Sequence, residues 1–293
     1  MGTLDPSERS ESFQPGQTFG KFYLVQAIGE GGTSRIYKAL QQPISRLVAL
    51  KIPSFPAGGG VLTPDEFLSE ATLMARLDHA GIVRIHDFGV EEGRAFICME
   101  YVEGWNLQEL VERFHPLPAS AVLAIALQVL EALLHAHARG VLHQDLSPAN
   151  VLISRAGSAK LADFGMAGKG ASAPGGNVVG TPAVLSPEHV AGEPCTARSD
   201  LFSFGSLLYF MARGEPLFNP GEGNCRLMEA FREIEKARWQ PPLDRLRALP
   251  VSLSRLVRSA LEGGDPEAML RDMRDLWVQS EGSTTPEEAL RRE

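Results

Sequence analysis

Val141-Leu142-His143-Gln144-Asp145-Leu146-Ser147-Pro148-Ala149-Asn150 is a short polar cluster held between two apolar segments. Ahead of it, Ser120–Arg139 predicts a long helix, apolar on most sides and closed by Gly140. Behind it, Val151-Leu152-Ile153 predicts a short buried strand. A loop anchored at both ends can hold its polar side chains rigidly. Asp145 and Asn150 are the two groups on it that suit a proton and a metal. A second acid follows in Asp163-Phe164-Gly165, at the end of the apolar strand Lys160-Leu161-Ala162. Two acids and an amide near strand ends can hold a hard cation through oxygen, which suits Mg2+ and phosphate chemistry.

Outward from this cluster, the chain reads as β-rich first and helical afterwards. Strands are expected at Phe22–Ile28, Arg35–Leu40 and Leu47–Ile52, with a strand pair at Ile82–Val90 and Arg94–Val102 turned at Glu91-Glu92-Gly93. Pro53–Leu62 is a Gly/Pro loop. Thr63-Pro64-Asp65-Glu66 is a helix start with a capping box, and that helix is expected to run to about Leu77. Further helices are expected at Asn106–Phe114, Ser199–Arg213, Asn224–Lys236, Leu253–Leu261 and Glu267–Gln279. This order predicts an α+β protein of two lobes, with the boundary near Glu103-Gly104. Residues 1–18 have the composition of a disordered leader and residues 280–293 that of a polar tail.

With 293 residues there is enough chain for two sizeable cores. A net charge of −8 argues against nucleic acid or an anionic membrane as the main partner. Cys98, Cys195 and Cys225 are widely spaced, which fits neither a disulfide framework nor a zinc site and suits a reducing cytoplasm. Met1–Gly20 is polar and shows no signal peptide. Ala121–Leu134 and Leu201–Ala212 read as buried helices rather than membrane spans.

Gly29-Glu30-Gly31-Gly32-Thr33-Ser34 lies between two strands and opens no helix. That context excludes the dinucleotide fingerprint and the Walker loop, both of which need a following helix. Backbone amides without a neighbouring Cβ can approach phosphate oxygens closely. Two further residues demand an explanation together. Lys51 is alone in an aliphatic strand, where a lysine reaching solvent is the bland alternative. Glu70 lies on the apolar stripe Phe67, Ala71, Met74 and Leu77 of its helix. An inward carboxylate needs a cationic partner, and Lys51 supplies one.

His143-x-Asp145 with Asn150 and then Asp163-Phe164-Gly165 resembles the eukaryotic-type protein kinase family, in its bacterial serine/threonine branch. The resemblance runs from about Phe22 to about Gln279 and includes Ile36-Tyr37-Lys38-Ala39 and Val48-Ala49-Leu50-Lys51. It implies a two-lobe kinase fold, with an N-lobe over 19–102 and a C-lobe over 103–279. It implies ATP and Mg2+ as cofactors and a protein hydroxyl as acceptor, with catalytic roles for Asp145, Lys51 and Glu70. Asp145 takes the part of the base, Lys51 that of the phosphate-orienting lysine, and Glu70 that of its ion-pair partner. Asn150 and Asp163 take the part of metal ligands. Nucleotide contacts fall to Ile28, Gly29, Gly31, Gly32, Ile36, Ala49, Met99, Glu100, Val102 and Leu152. His143 is expected to pack on Phe164, and Asp200 to anchor the loop backbone. His137 is expected in a core packing role. Gly180-Thr181-Pro182 through Ser186-Pro187-Glu188 resembles the platform for a protein substrate.

Three departures from the family pattern qualify the activity. Gln144 stands where the family has arginine, and Ser147 where it has lysine. Asp265-Pro266-Glu267-Ala268 lacks the arginine that pairs with the residue matching Glu188. The expectation is therefore a serine/threonine protein kinase that is slow and independent of activation-segment phosphorylation, with an activating partner protein as a further candidate. The rival is a pseudokinase that binds or scaffolds. A small-molecule phosphotransferase is a weaker third, against which the platform residues speak.

Overall fold

Alternation along Phe22–Glu30 (β2) sends Phe22 and Leu24 into a core and leaves Tyr23 exposed. The computed structural model describes residues 13–30, 34–53, 64–164, 184–218, 234 and 242–281, with 64–67, 70 and 281 described in backbone only. The described chain divides into two compact units. One comprises Met1–Asp78 and Val83–Val102, the other His79–Ile82 and Glu103–Glu293.

The described residues of the first unit form a six-stranded antiparallel sheet with one helix. Its strands are Thr18–Phe19 (β1), β2, Ser34–Gln41 (β3), Arg46–Pro53 (β4), Ile85–Glu91 (β5) and Arg94–Glu100 (β6), in the order β1-β2-β3-β4-β6-β5. One sheet face buries Phe19, Phe22, Leu24, Tyr37, Leu50 and Phe96 together. The Phe96 ring meets Phe19 and Phe22 edge-on, at 6.1 and 5.2 Å between centroids. The sheet curls: Lys21 at the β1–β2 turn is paired with Asp87 on β5, the strand at the far edge. Helix Pro64–Met74 (α1) buries Ala71 and Met74. It ends before Leu77, which sits in the following turn and is also buried. Thr63 and the loop 54–63 lie outside the described residues.

The expected strand from Ile82 starts only at Ile85. Ile82 instead makes an isolated parallel bridge to Leu161, and the Gly81 carbonyl accepts the Leu161 amide at 2.8 Å. His79–Ile82 therefore packs in the second unit, where its backbone groups find partners.

The second unit is mainly helical. Its helices are Leu107–Phe114 (α2), Ala119–His137 (α3), Pro187–Ala191 (α4), Ala197–Arg213 (α5), Leu243–Leu246 (α6), Val251–Leu261 (α7) and Pro266–Glu281 (α8). A small sheet of Gly104–Asn106 (β7), Val151–Ser154 (β8) and Ala159–Leu161 (β9) lies with them. Gly104 is required for the β7–β8 approach, because a Cβ there would stand 1.9 Å from the Ile153 carbonyl oxygen. Helix α3 is long and apolar enough by composition to cross a membrane, but most of it is buried inside this unit. Gln128 is the polar exception in its middle. Its amide donates to the carbonyls of Ala124 and Gly157, and its oxygen accepts the Ala159 amide at 2.9 Å. Helix and small sheet are thus tied together on either side of the polar loop.

The N-cap of α5 is Thr196, so the helix begins before Ser199, where the sequence placed its start. Ser199 sits three residues inside, where its hydroxyl accepts the Thr196 amide at 3.1 Å. The helix expected at Asn224–Lys236 falls almost wholly outside the described residues, as does Cys225. The thiols of Cys98 and Cys195 are pushed up to about 12 and about 11, chiefly by burial, so neither is an activated nucleophile.

Candidate active site

Gly140 ends α3 in the left-handed region, at φ 71°, and Val141 bonds back to the Ala136 carbonyl. The chain then enters the polar loop. His143 is fully buried, with its ring 4.5 Å from that of Phe164 between centroids, as expected. Burial holds its pKa below the ordinary imidazole value, against the pull of Asp200 and Asp163.

Asp200 on α5 fixes the loop from below. Its carboxylate accepts the amides of His143 and Gln144 at 2.8 Å each. The His137 Nε2 lies 2.7 Å from the same carboxylate. Burial alone would raise the Asp200 pKa. The His137 bond, the charge of His143 and the His143 amide outweigh it, and the carboxyl is held below its ordinary value. His137 is the residue that sequence reasoning undervalued: it is a partner of Asp200 rather than plain packing. The signal was there, since an acid within so apolar a helix needs polar partners.

Asp145 follows Gln144 directly. The Asn150 amide nitrogen donates to the Asp145 carbonyl at 2.9 Å and to its Oδ2 at 3.0 Å. That turns the Asn150 side-chain oxygen away from Asp145. The Asn150 carbonyl accepts the Ala162 amide at 2.9 Å, so Asp163 emerges near Asn150 just past the end of β9. Asp163 and Gln144 both adopt positive φ, 57° and 64°. Strained backbone of this kind persists only where its surroundings over-determine it, and it gathers at functional sites. The donor set of Asn150 oxygen and Asp163 carboxylate fits Mg2+, a hard cation that takes few protein ligands and keeps several waters. No cluster of three acidic, His or Cys ligands occurs among the described residues, so zinc-type sites are not indicated there.

The first unit carries the other expected residues. Strand register places Ala49 opposite Met99 and Lys51 opposite Ile36. Since Ala49 and Lys51 are two apart on β4, all four share one sheet face. Gly29 pairs with Ile36 across β2 and β3. Lys51 is 1% exposed, so the bland alternative of a lysine in solvent does not hold. Ile28 is 42% exposed near the end of β2, while Val102 and Ile36 are half-buried. The Glu100 amide donates to the Arg84 carbonyl at 2.8 Å, so it is not available to a base. Leu152 belongs to the second unit, half-buried on β8. Gly31, Gly32 and the Glu70 side chain lie outside the described residues, as do residues 165–183 of the activation segment and platform.

The profile of the family described as "protein kinase domain" matches residues 22–267. The chain belongs to this family. Among its relatives, the serine/threonine-protein kinase PknL of Mycobacterium tuberculosis is 37% identical over 238 residues, covering 80% of this chain and 57% of PknL. The serine/threonine-protein kinase PrkC of Bacillus subtilis is 31% identical over 249 residues, covering 82% of this chain and 37% of PrkC. Among solved structures, the PknI kinase domain of Mycobacterium tuberculosis superposes with a TM-score of 0.64 at 27% identity, covering 90% of this chain and 99% of that one. The chain thus spans about half or less of the curated relatives named here. The two-lobe kinase fold expected from sequence is therefore correct.

Within this kinase domain, the departures keep their physical meaning. Ser147 is 1% exposed at the start of the short turn Pro148–Asn150. The Ser199 hydroxyl, at the N-terminal turn of α5, donates to the Glu188 carboxylate at 3.4 Å. A helix N-terminus favours a carboxylate there.

Proposed function

We propose that this chain is a serine/threonine protein kinase domain using ATP and Mg2+. The observation that carries it is the Asp145–Asn150–Asp163 arrangement, held in strained backbone over a buried Asp200. Asp145 orients the acceptor hydroxyl and takes its proton as the oxygen attacks phosphorus. Asn150 and Asp163 hold Mg2+, which neutralises developing phosphate charge when bound. Lys51 holds ATP phosphates, with Glu70 as its partner and Gly29, Gly31 and Gly32 in the phosphate loop. Ile28, Ile36, Ala49, Met99 and Leu152 contact the base, and the carbonyl of Glu100 and the backbone of Val102 bond it. The names of the relatives support the substrate class.

The domain works slowly and needs no phosphate on its activation segment, in this reading. Ser147 brings no cation to the γ-phosphate, and Gln144 brings none to a phosphoserine. An activating partner protein would then order the segment. In this reading the domain takes in at least residues 13–281, wider than the expected 19–279, since Phe13 packs on Phe19 and α8 runs to Glu281, and it works in the cytoplasm. The same two departures favour the rival, a pseudokinase that binds or scaffolds.

The test is transfer from radiolabelled ATP-Mg2+ to a generic protein substrate, on wild type beside Asp145→Asn. Wild type transfers and Asp145→Asn does not, while both gain thermal stability with ATP-Mg2+ and less with ATP alone. A thermal shift without transfer favours the pseudokinase. Absence of both shift and transfer overturns the kinase and the nucleotide-binding pseudokinase alike.

A further inference from the structure

His189 is a buried histidine that the mechanism does not use. It sits on α4, directly after Glu188. Its Nδ1 is 3.0 Å from the hydroxyl of Ser186, itself fully buried. That hydroxyl oxygen already accepts the His189 amide at 3.4 Å. Its own proton is therefore free to go to Nδ1. Burial disfavours a charged ring, against the pull of Asp200 and Glu188. A neutral ring that accepts at Nδ1 carries its proton on Nε2.

That Nε2 is buried and has no hydrogen-bond partner among the described residues. A buried donor left unpaired is costly and calls for an explanation. The group beside it that favours a proton there is the backbone carbonyl of Gln144. Gln144 is already held on its other side, where its amide donates to Asp200. It is in the left-handed region, which a non-glycine residue keeps only if pinned. Asp145 is the next residue.

We propose that His189 is a positioning residue, whose Nε2–H closes on the Gln144 carbonyl and so fixes Asp145 for proton transfer. The proposal rests on the kinase reading above. It supplies a local brace in a loop whose usual arginine is Gln144. The coupling runs from the platform through one ring to the catalytic loop.

The experiment compares wild type with His189→Leu, His189→Gln and His189→Asn. A glutamine amide reaches the position of Nε2; an asparagine amide stops at that of Nδ1. Hydrogen exchange at the Gln144 amide needs no catalysis and is read first. His189→Leu speeds it about tenfold, glutamine restores it, and asparagine does not. In transfer assays kcat falls in the same order, while KM for ATP stays at the wild-type value. Exchange and kcat in a folded His189→Leu within about threefold of wild type overturn the proposal, and so does failure of glutamine to rescue. If wild type transfers nothing, the kinase reading fails, and the exchange pattern alone still decides the role of His189.

Discussion

The Asp200 carboxylate accepts the backbone amide of Gln144 at 2.8 Å, across 56 residues of sequence. Its other oxygen takes the His143 amide at 2.8 Å and lies 2.7 Å from His137 Nε2. One buried acid thus sets the backbone of two consecutive loop residues just ahead of Asp145.

Removing that acid strands two amides and one imidazole. Asp200→Ala is expected to cost about 3–5 kcal/mol, as for a buried charge partner removed from one side. Urea unfolding measures it. A loss below about 1 kcal/mol would show that the loop is held by something else. In a double-mutant cycle, His137→Ala adds little once Asp200 is gone, because the two share one interaction.

Ser147→Lys tests the missing cation. One preorganised donor at a charged transition state is worth about 2–4 kcal/mol, so kcat rises if the new ammonium reaches the phosphate. Ser147 is buried, so the lysine must lead its charge out along the loop; melting temperature controls for overpacking. Lys169, outside the described residues, is a second source of charge, and Lys169→Ala then slows transfer. Unchanged kcat in both folded variants would remove this explanation of slow turnover.

Phosphatase treatment and Ser172→Ala are expected to leave transfer unchanged. Ser172 is the only hydroxyl between Asp163 and Thr181, and Gln144 offers it no cation. A drop of about tenfold, or 1.4 kcal/mol of activation free energy, in either sample would refute independence from phosphorylation.

Stability is expected to fall as pH drops through about 6.5, the ordinary value for histidine. His143 and His189 are buried, and burial lowers both pKa values. The unfolded chain then binds more protons than the folded one, so acid favours unfolding. Each histidine contributes a slope of up to about 1.4 kcal/mol per pH unit below that point. Asp200 acts lower: its stabilisation is present above about pH 3.9 and is lost as pH falls through its depressed folded value. Urea midpoints from pH 8 to pH 5 check this, and a flat profile contradicts it. His189→Gln should flatten part of the slope.

Much of the fold was legible because it is local or periodic. Alternation gave β2, β3 and β4 to within two residues, and the apolar run closed by Gly140 gave α3. Where edges were missed, a hydrogen-bond partner decided them, tertiary in the first case below and local in the second. Ile82 left its strand to bridge Leu161, and Thr196 took the cap of α5 because Ser199 could serve it from inside the helix.

The site divides in the same way. Residue types and spacing singled out Asp145, Asn150 and Asp163 as candidates, and the family resemblance gave them roles; they stand at strand ends and on a tight loop. Spacing also flagged Asp200 as an acid in need of partners. Only the tertiary structure decided who those partners are, because His137, His143 and Gln144 reach Asp200 across 56 to 63 residues. Hydrogen bonds of about 2.8 Å depend on how α3, the loop and α5 pack, and packing has no period in sequence. The same holds for His189, whose ring feels the Gln144 backbone across 45 residues of sequence.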